Sequence, residues 1–463
     1  MDHSIHINQE NAENTHHAVK ITEADGNWLA SMEAKINQRP KLLNESAGKL
    51  CCCIFRLPKS LVLTNDKAYE PQIVSIGPYH HGKEQLTMIQ EHKWRFLRSF
   101  LSRLQGIISF SHLVQLIASH EETIRESYSE FINLNSRQLI EMMILDGCFI
   151  IELFYKVFRS DPSDDREPIL SMAWILPFIA RDFLKLENQI PFFVLEILFQ
   201  QTRSFLGENI PSLKILTMGF FNNVIGRPFQ VLQRYEHLTG KHILDLFRLS
   251  LIPKHLHHKK LNHGNVSQIQ TAEKLHLVGI QFEPIRENIS DSFLDIKFDN
   301  GVLRIPTLTL DDFSSYLLQN CVAFEQCYHH HCSNHMTTYA TFMGCLINTP
   351  RDAGFLREKN IIENYLGADE QVAYFFNNLG KDMLTDINHS YLTGLFEEVN
   401  QFSSSCNIAH RNRKSRDTNN YVGSKRSFSW VIIAFILLML IVIQVLLVIR
   451  PSLHAALLKS VQS

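Results

Sequence analysis

The sequence predicts a mainly α-helical protein: one large helical domain with a small β-hairpin, followed by a single transmembrane helix near the C-terminus. Three observations carry that reading. Apolar residues recur at helical spacing over most of residues 47–400; strand-like alternation is clearest in one pair of runs about Asn300-Gly301; and residues 430–449 hold Gln444 as their only polar side chain. The 463-residue chain is 45% hydrophobic and 20% charged, the balance of an ordinary globular protein with room for a large core. Its formal net charge of -2 shows no basic excess over the domain, which argues against nucleic acid as a partner. The cysteines, nine in number, make no disulfide framework, so reduced thiols are expected.

Taken in order, residues 1–45 read as a disordered N-terminal tail, polar at the start and without the basic head and apolar core of a secretory signal. The helical domain follows over residues 46–400. Leu86, Ile89, Leu97, Leu101 and Leu104, with charges between them, form one face of an amphipathic helix. Residues 139–158 are apolar nearly all round, the mark of a central buried helix. Residues 174–199 are similar, but Pro177 and Pro191 each remove a backbone donor and forbid one straight helix. Between about 200 and 265 the pattern weakens, and a loop-rich, variable region is expected. Residues 294–298 and 302–305 alternate about Asp299-Asn300-Gly301, a hairpin whose Asn-Gly tolerates positive φ. Helical spacing returns over 339–347 and 370–379.

Residues 401–429 form a polar, basic linker, and 450–463 a short tail. An uninterrupted helix over 430–449 would span about 30 Å, with Trp430 at one interface and Arg450-Pro451 ending it at the other. Arg411, Arg413, Lys414, Arg416, Lys425 and Arg426 precede the span, so the positive-inside rule places the bulk of the chain in the cytosol. The expectation is a tail-anchored, single-pass protein of the plasma membrane or an endomembrane, touching lipid through Trp430 to Ile449. Asn44, Asn265, Asn288 and Asn388 open Asn-x-Ser sequons that would carry sugar only in the opposite orientation.

Six segments stand in order along the chain: P-Q-I-V-S-I-G-P-Y-H-H-G (71–82), E-H-K-W (91–94), M-I-L-D-G-C-F-I-I-E-L-F (143–154), L-E-N-Q-I-P-F-F (186–193), T-A-E-K-L-H-L-V-G-I-Q-F (271–282) and N-C-V-A-F-E-Q (320–326). Taken together they resemble the plant family of unknown function numbered 247. The resemblance covers about residues 54–449. It implies plant origin, a helical domain, a C-terminal anchor and no agreed enzymatic activity. Some relatives are linked to pollen self-incompatibility, a role that motifs defining a scaffold do not transfer. Phe55-Arg56-Leu57-Pro58 departs from the family's more usual aromatic-Val-Pro.

Chemistry-bearing residues are present without a complete constellation. Asp146, Glu152, Asp182 and Glu187 lie in apolar segments, where a charge must be paired or must shift its pKa. Lys93, Arg181 and Lys185 are available partners, and Asn188 and Gln189 can bond exposed helix ends. The catalytic candidates are Asp146 and Glu187 with the turn histidines His80 and His81. Glu273 and His276 make half of a di-iron E-x-x-H signature, with no second half evident. The string from Cys327 to His335 is the most metal-like, with Cys327, His329, Cys332 and His335 as candidate ligands, though its spacing fits no standard zinc finger. Phosphate loops, nucleophile elbows and kinase strings are absent, and no cofactor is implied. The reading is therefore a membrane-anchored protein-interaction or signalling module that binds another protein. The rival is a hydrolase or metal-dependent enzyme using the buried carboxylates and turn histidines.

Overall fold

The computed structural model describes residues 26–38, 40–58, 66–104, 106–159, 167–203, 205, 210–225, 227, 229–256, 267–285, 292–379, 387–406 and 432–444. The chain is mainly helical with few strands. Helix α1 (Thr87–Arg103) buries Ile89, Lys93, Phe96, Leu97 and Phe100, spaced three and four apart along one face. Helix α2 (Phe110–Ala118) opens on Ser109, whose side chain accepts from the His112 amide. Helix α3 (Ser136–Arg159) is the central one. Asn135 and Gln138 bond each other's backbone N–H at its start, and its buried positions run from Leu139 to Tyr155. Helices α1 and α2 pack on it, as do α5 (Phe192–Arg203) and α6 (Leu213–Ile225).

Helix α4 (Ile175–Phe183) contains Pro177, expected to break it, as its third residue. A proline in the first turn costs nothing, because that N–H has no intrahelical acceptor. Pro191, by contrast, stands at the break before α5. The region expected to be loop-rich holds α6 and α7 (Ile243–Ser250), whose apolar faces pack inward.

Helix α8 (Ala272–Leu277) leads into a small sheet. Strand β2 (Lys297–Asp299) pairs antiparallel with β3 (Val302–Pro306), joined by Asn300 at φ 50° and Gly301 at φ 81°, as an Asn-Gly turn requires. A third strand not expected from the sequence, β1 (Gln281–Ile285), pairs parallel with β3. Its Pro284 is tolerated because β1 lies at a sheet edge. Strand β4 (Leu308–Leu310) precedes α9 (Asp312–Cys327), α10 (His335–Leu346) and α11 (Pro350–Glu358). Strand β5 (Ile362–Asn364) then pairs parallel with β4, and α12 (Asp369–Leu379) follows. Capping boxes start α9 (Asp311 with Ser314) and α11 (Thr349 with Asp352).

Two expectations change at the ends of the chain. A helix, Gly26–Ile36, stands within the stretch read as a tail, with Trp28, Leu29, Met32 and Ile36 exposed. More consequentially, the transmembrane helix expected over 430–449 is not supported: among the described residues no helix is long and apolar enough to cross a membrane. The described helix there covers 432–444, about 20 Å at 1.5 Å per residue, against the roughly 30 Å of a bilayer's hydrocarbon. The single-pass, tail-anchored placement and the membrane localisation rested on that helix and are withdrawn with it. The basic stretch 411–426, the tail 450–463 and the sequons at Asn265 and Asn288 lie outside the described residues.

Candidate functional site

Residues 71–79 cross the interior in neither helix nor strand, so their backbone polar groups need partners from side chains. Three elements supply them. From the end of α4, Asp182 accepts the amides of Gln72 (2.9 Å), Ile73 (2.8 Å) and Val74 (3.0 Å). From the loop between α4 and α5, Asn188 accepts the Ile76 amide at 2.7 Å and donates to the Val74 carbonyl at 3.1 Å. From α3, Asp146 accepts the Gly77 amide at 2.8 Å, while Lys93 of α1 donates both to Asp146 and to the Ser75 carbonyl. The clamp continues on either side. Lys185 lies 3.3 Å from Asp182 and donates to the carbonyls of Lys67 and Glu70, and Gln189 donates to those of Phe183 and Lys185. Burial pushes the Asp182 carboxyl up, against the pull of Lys185 and the three amides, and pushes the Lys185 ammonium down.

Gly77 is the tightest point of the crossing. Its φ is +73°, and a Cβ there would lie 2.4 Å from the Gln189 carbonyl oxygen and 3.1 Å from the Tyr128 hydroxyl. That hydroxyl donates to the same carbonyl at 3.1 Å. Only glycine meets both demands.

The catalytic candidates are thereby placed. Asp146 and Glu187 are both buried and both bonded to the chain's own backbone, Glu187 accepting the Leu57 amide at 2.7 Å. His80 is 1% exposed with Nε2 3.2 Å from Glu187, but the ring is turned so that neither nitrogen completes a well-formed hydrogen bond among the described residues. His81 points out and is exposed. Arg56 roofs this corner, stacked 4.6 Å over the Tyr79 ring and paired with Glu130 at 2.9 Å. Glu152 accepts from Ser99 and Arg103. Arg181 reaches outward instead, 4.0 Å from Asp312.

The candidate metal ligands are spread along the α9–α10 turn. His329 and His330 meet edge to face at 5.3 Å, His331 shares a hydrogen bond with the Gly48 carbonyl at 3.0 Å, and His335 stacks on Tyr391 at 5.1 Å. Burial pushes the Cys327 and Cys332 thiols up to about 12, disfavouring the thiolate a metal needs. Among the described residues no three His, Cys, Asp or Glu are disposed to hold a metal ion. His276 of the half di-iron motif lies against the Phe355 ring at 5.0 Å.

A second buried network escaped the sequence reading. Arg248 of α7 bonds Asp245 at 2.9 Å and Glu325 of α9 at 3.0 Å, and Glu325 also accepts the Met336 and Thr337 amides at the start of α10. Burial pushes the Glu325 carboxyl up, opposed by Arg248 and those amides. His242 caps α7, its Nδ1 accepting the Asp245 amide at 3.2 Å, which leaves Nε2 to donate to the Cys53 carbonyl at 3.1 Å. The one available signal was Glu325 inside N-C-V-A-F-E-Q; Arg248 sits in an unremarkable amphipathic stretch.

Residues 54–440 match the family described as plant protein of unknown function, DUF247. The chain belongs to that family. It is 39% identical over 391 residues to the UPF0481 protein At3g47200 of Arabidopsis thaliana, covering 79% of this chain and 80% of the relative. A second Arabidopsis thaliana UPF0481 protein, At3g02645, is 22% identical, covering 81% of this chain and 86% of its own. No solved structure matches. The DUF247 motifs in this chain coincide with the clamp: Asp146, Asn188, Gln189 and Lys93 come from three of the quoted stretches, and Asn320 of a fourth bonds the Leu186 amide and the Ala68 carbonyl. The geometry therefore gives these motif residues a structural use within the fold.

Proposed function

We propose that the chain is a protein-interaction module of a signalling or recognition kind, whose helical surface binds another protein. The observation that carries this reading is the fate of Asp146 and Glu187. A general acid, base or nucleophile has to reach substrate, and both carboxylates are buried and committed to the backbone amides of Gly77 and Leu57. A hydrolase or metal-dependent enzyme built on them would have to unpack the segment they hold. Large exposed apolar side chains such as Trp94, Phe131 and Trp174 leave surface for association. Proximity labelling in plant cells with the full chain as bait tests the reading. The expected result is a small set of proteins enriched in every replicate against a scrambled-surface control; labelling indistinguishable from that control contradicts it.

A further inference from the structure

Of the 15 prolines in the chain, Pro350 alone follows a serine or threonine, and it does so at the start of α11. We infer that Thr349 is a phosphorylation site for a proline-directed protein kinase, and that its phosphate loosens α8 from α11. The inference goes beyond the interaction reading above and holds whatever partner the module binds.

Accessibility and backbone shape both favour transfer at this residue. Asn348, Thr349, Pro350 and Arg351 are all exposed, between the buried Ile347 and Asp352. Pro350 and Arg351 also line an open groove, so a second protein can approach them. Proline clashes with a helical conformation of the residue before it, and Thr349 is accordingly extended, at φ -128° and ψ 161°. Pro350 is the first residue of α11, where the fixed φ of proline suits the helix. Reading the dipeptide in extended form therefore needs only the first helical turn to fray, the least protected part of a helix. In transfer, the Thr349 Oγ1 bonds the γ-phosphorus of ATP and the bond from that phosphorus to the bridging oxygen breaks. ADP leaves, and the hydroxyl proton passes to the kinase's catalytic base.

The consequence follows from Asp352. Its carboxylate, 1% exposed, accepts the Thr349 hydroxyl at 2.8 Å and the Thr349 amide at 3.0 Å. Its other oxygen accepts the Glu273 amide of α8 at 3.2 Å, so one buried carboxylate holds the starts of two helices. Phosphorylation removes the hydroxyl proton and sets about -1.5 to -2 of charge beside that carboxylate. A phosphate at a helix N-terminus also gains from the macrodipole. Here that gain is screened, because Thr349 faces solvent, whereas the repulsion acts on a carboxylate sealed from water. Asp352 is driven out of its capping box, and the Glu273 amide loses its acceptor. Helix α8 then keeps its ring contact with α11, His276 on Phe355 at 5.0 Å, but not its amide tie.

The test uses the purified full chain with magnesium ATP and a proline-directed Ser/Thr kinase, read by mass spectrometry of peptides and by amide hydrogen exchange. A synthetic threonine-proline peptide is the positive control for the kinase. Phosphate should appear on Thr349, and Pro350→Ala, which keeps the hydroxyl, should lower its incorporation about tenfold or more. A kinase directed by basic residues should leave Thr349 of the wild-type chain unlabelled, which remains a test should Pro350→Ala misfold. After stoichiometric phosphorylation the Glu273 amide should exchange about tenfold faster. Thr349→Ala, which loses the hydroxyl without adding charge, should raise that exchange less. Four results each overturn the proposal: no label at Thr349 when the control peptide is labelled, label there from the basic-directed kinase, label that survives Pro350→Ala in a folded chain, or a Glu273 amide unchanged by the phosphate.

Discussion

At the scale of single residues, two glycines with nearly the same backbone separate conformation from contact. Gly77 and Gly82 have φ of +73° and +78°, but a Cβ at Gly82 meets nothing within 4 Å, whereas at Gly77 it meets a carbonyl oxygen at 2.4 Å. Gly82→Ala should cost about 1–2 kcal/mol, the left-handed penalty alone. Gly77→Ala should cost clearly more, because backbone must move; equal shifts in urea midpoint would contradict the crossing described here. His242 supplies a pH test. Burial lowers its pKa from 6.5 to about 4, so the unfolded chain binds the proton more readily than the folded one. Its contribution is therefore fully present above the unfolded value and is lost as pH falls from about 6.5 to about 4, by about 3 kcal/mol in all. His242→Asn keeps a cap acceptor and removes the titration. The stability gap between wild type and this variant should shrink by about that amount between about pH 7.5 and about pH 4; a constant gap refutes the assignment.

At the scale of elements, the segment 71–79 has the unusual property of being held like a strand without a sheet. Its amides go to carboxylates and an amide side chain rather than to a neighbouring ladder, so they should exchange slowly with solvent deuterium although they lie outside secondary structure. Asp182→Ala should speed exchange at Gln72, Ile73 and Val74 by about tenfold or more, while Ile76 and Gly77, held by Asn188 and Asp146, change less. Fast exchange across the segment in wild type would show that the clamp does not operate. The regular elements were largely legible: α1, α3, α10 and α12 follow from apolar spacing, and the hairpin from Asn300-Gly301. Pro177 misled because a proline three residues into a helix and one in its middle look alike until the start is known. β1 was missed because its alternation is short and contains Pro284.

At the scale of the whole molecule, the ends of the domain are bonded to each other. The Tyr328 hydroxyl donates to the Leu50 carbonyl at 2.7 Å, Asn320 bridges Leu186 and Ala68, and Arg248 reaches Glu325. The Leu50 and Ala68 carbonyls thus find these partners only after α9 exists, although residues 71–79 find theirs earlier in the chain. A fragment of residues 46–270 should therefore lack a cooperative urea transition, which the full chain should show; a cooperative transition in the fragment would mean the first half is self-sufficient. The candidate site was half legible. The sequence marked Asp146, Asp182, Glu187, Lys93 and Lys185 as charges needing partners in apolar surroundings, but it could not say which would meet or whether they would face solvent.

What the sequence determined by itself was the helical class, the hairpin and the family, because helical spacing, turn conformations and ordered motifs are written within a few residues of one another. The tertiary structure alone decided that the buried carboxylates hold backbone amides across separations of 69 and 130 residues, and that the described part of the C-terminal apolar helix falls short of a membrane's thickness. Hydrogen-bond partners depend on which surfaces pack, and a span depends on how far a helix continues; neither quantity is fixed by the local pattern of side chains.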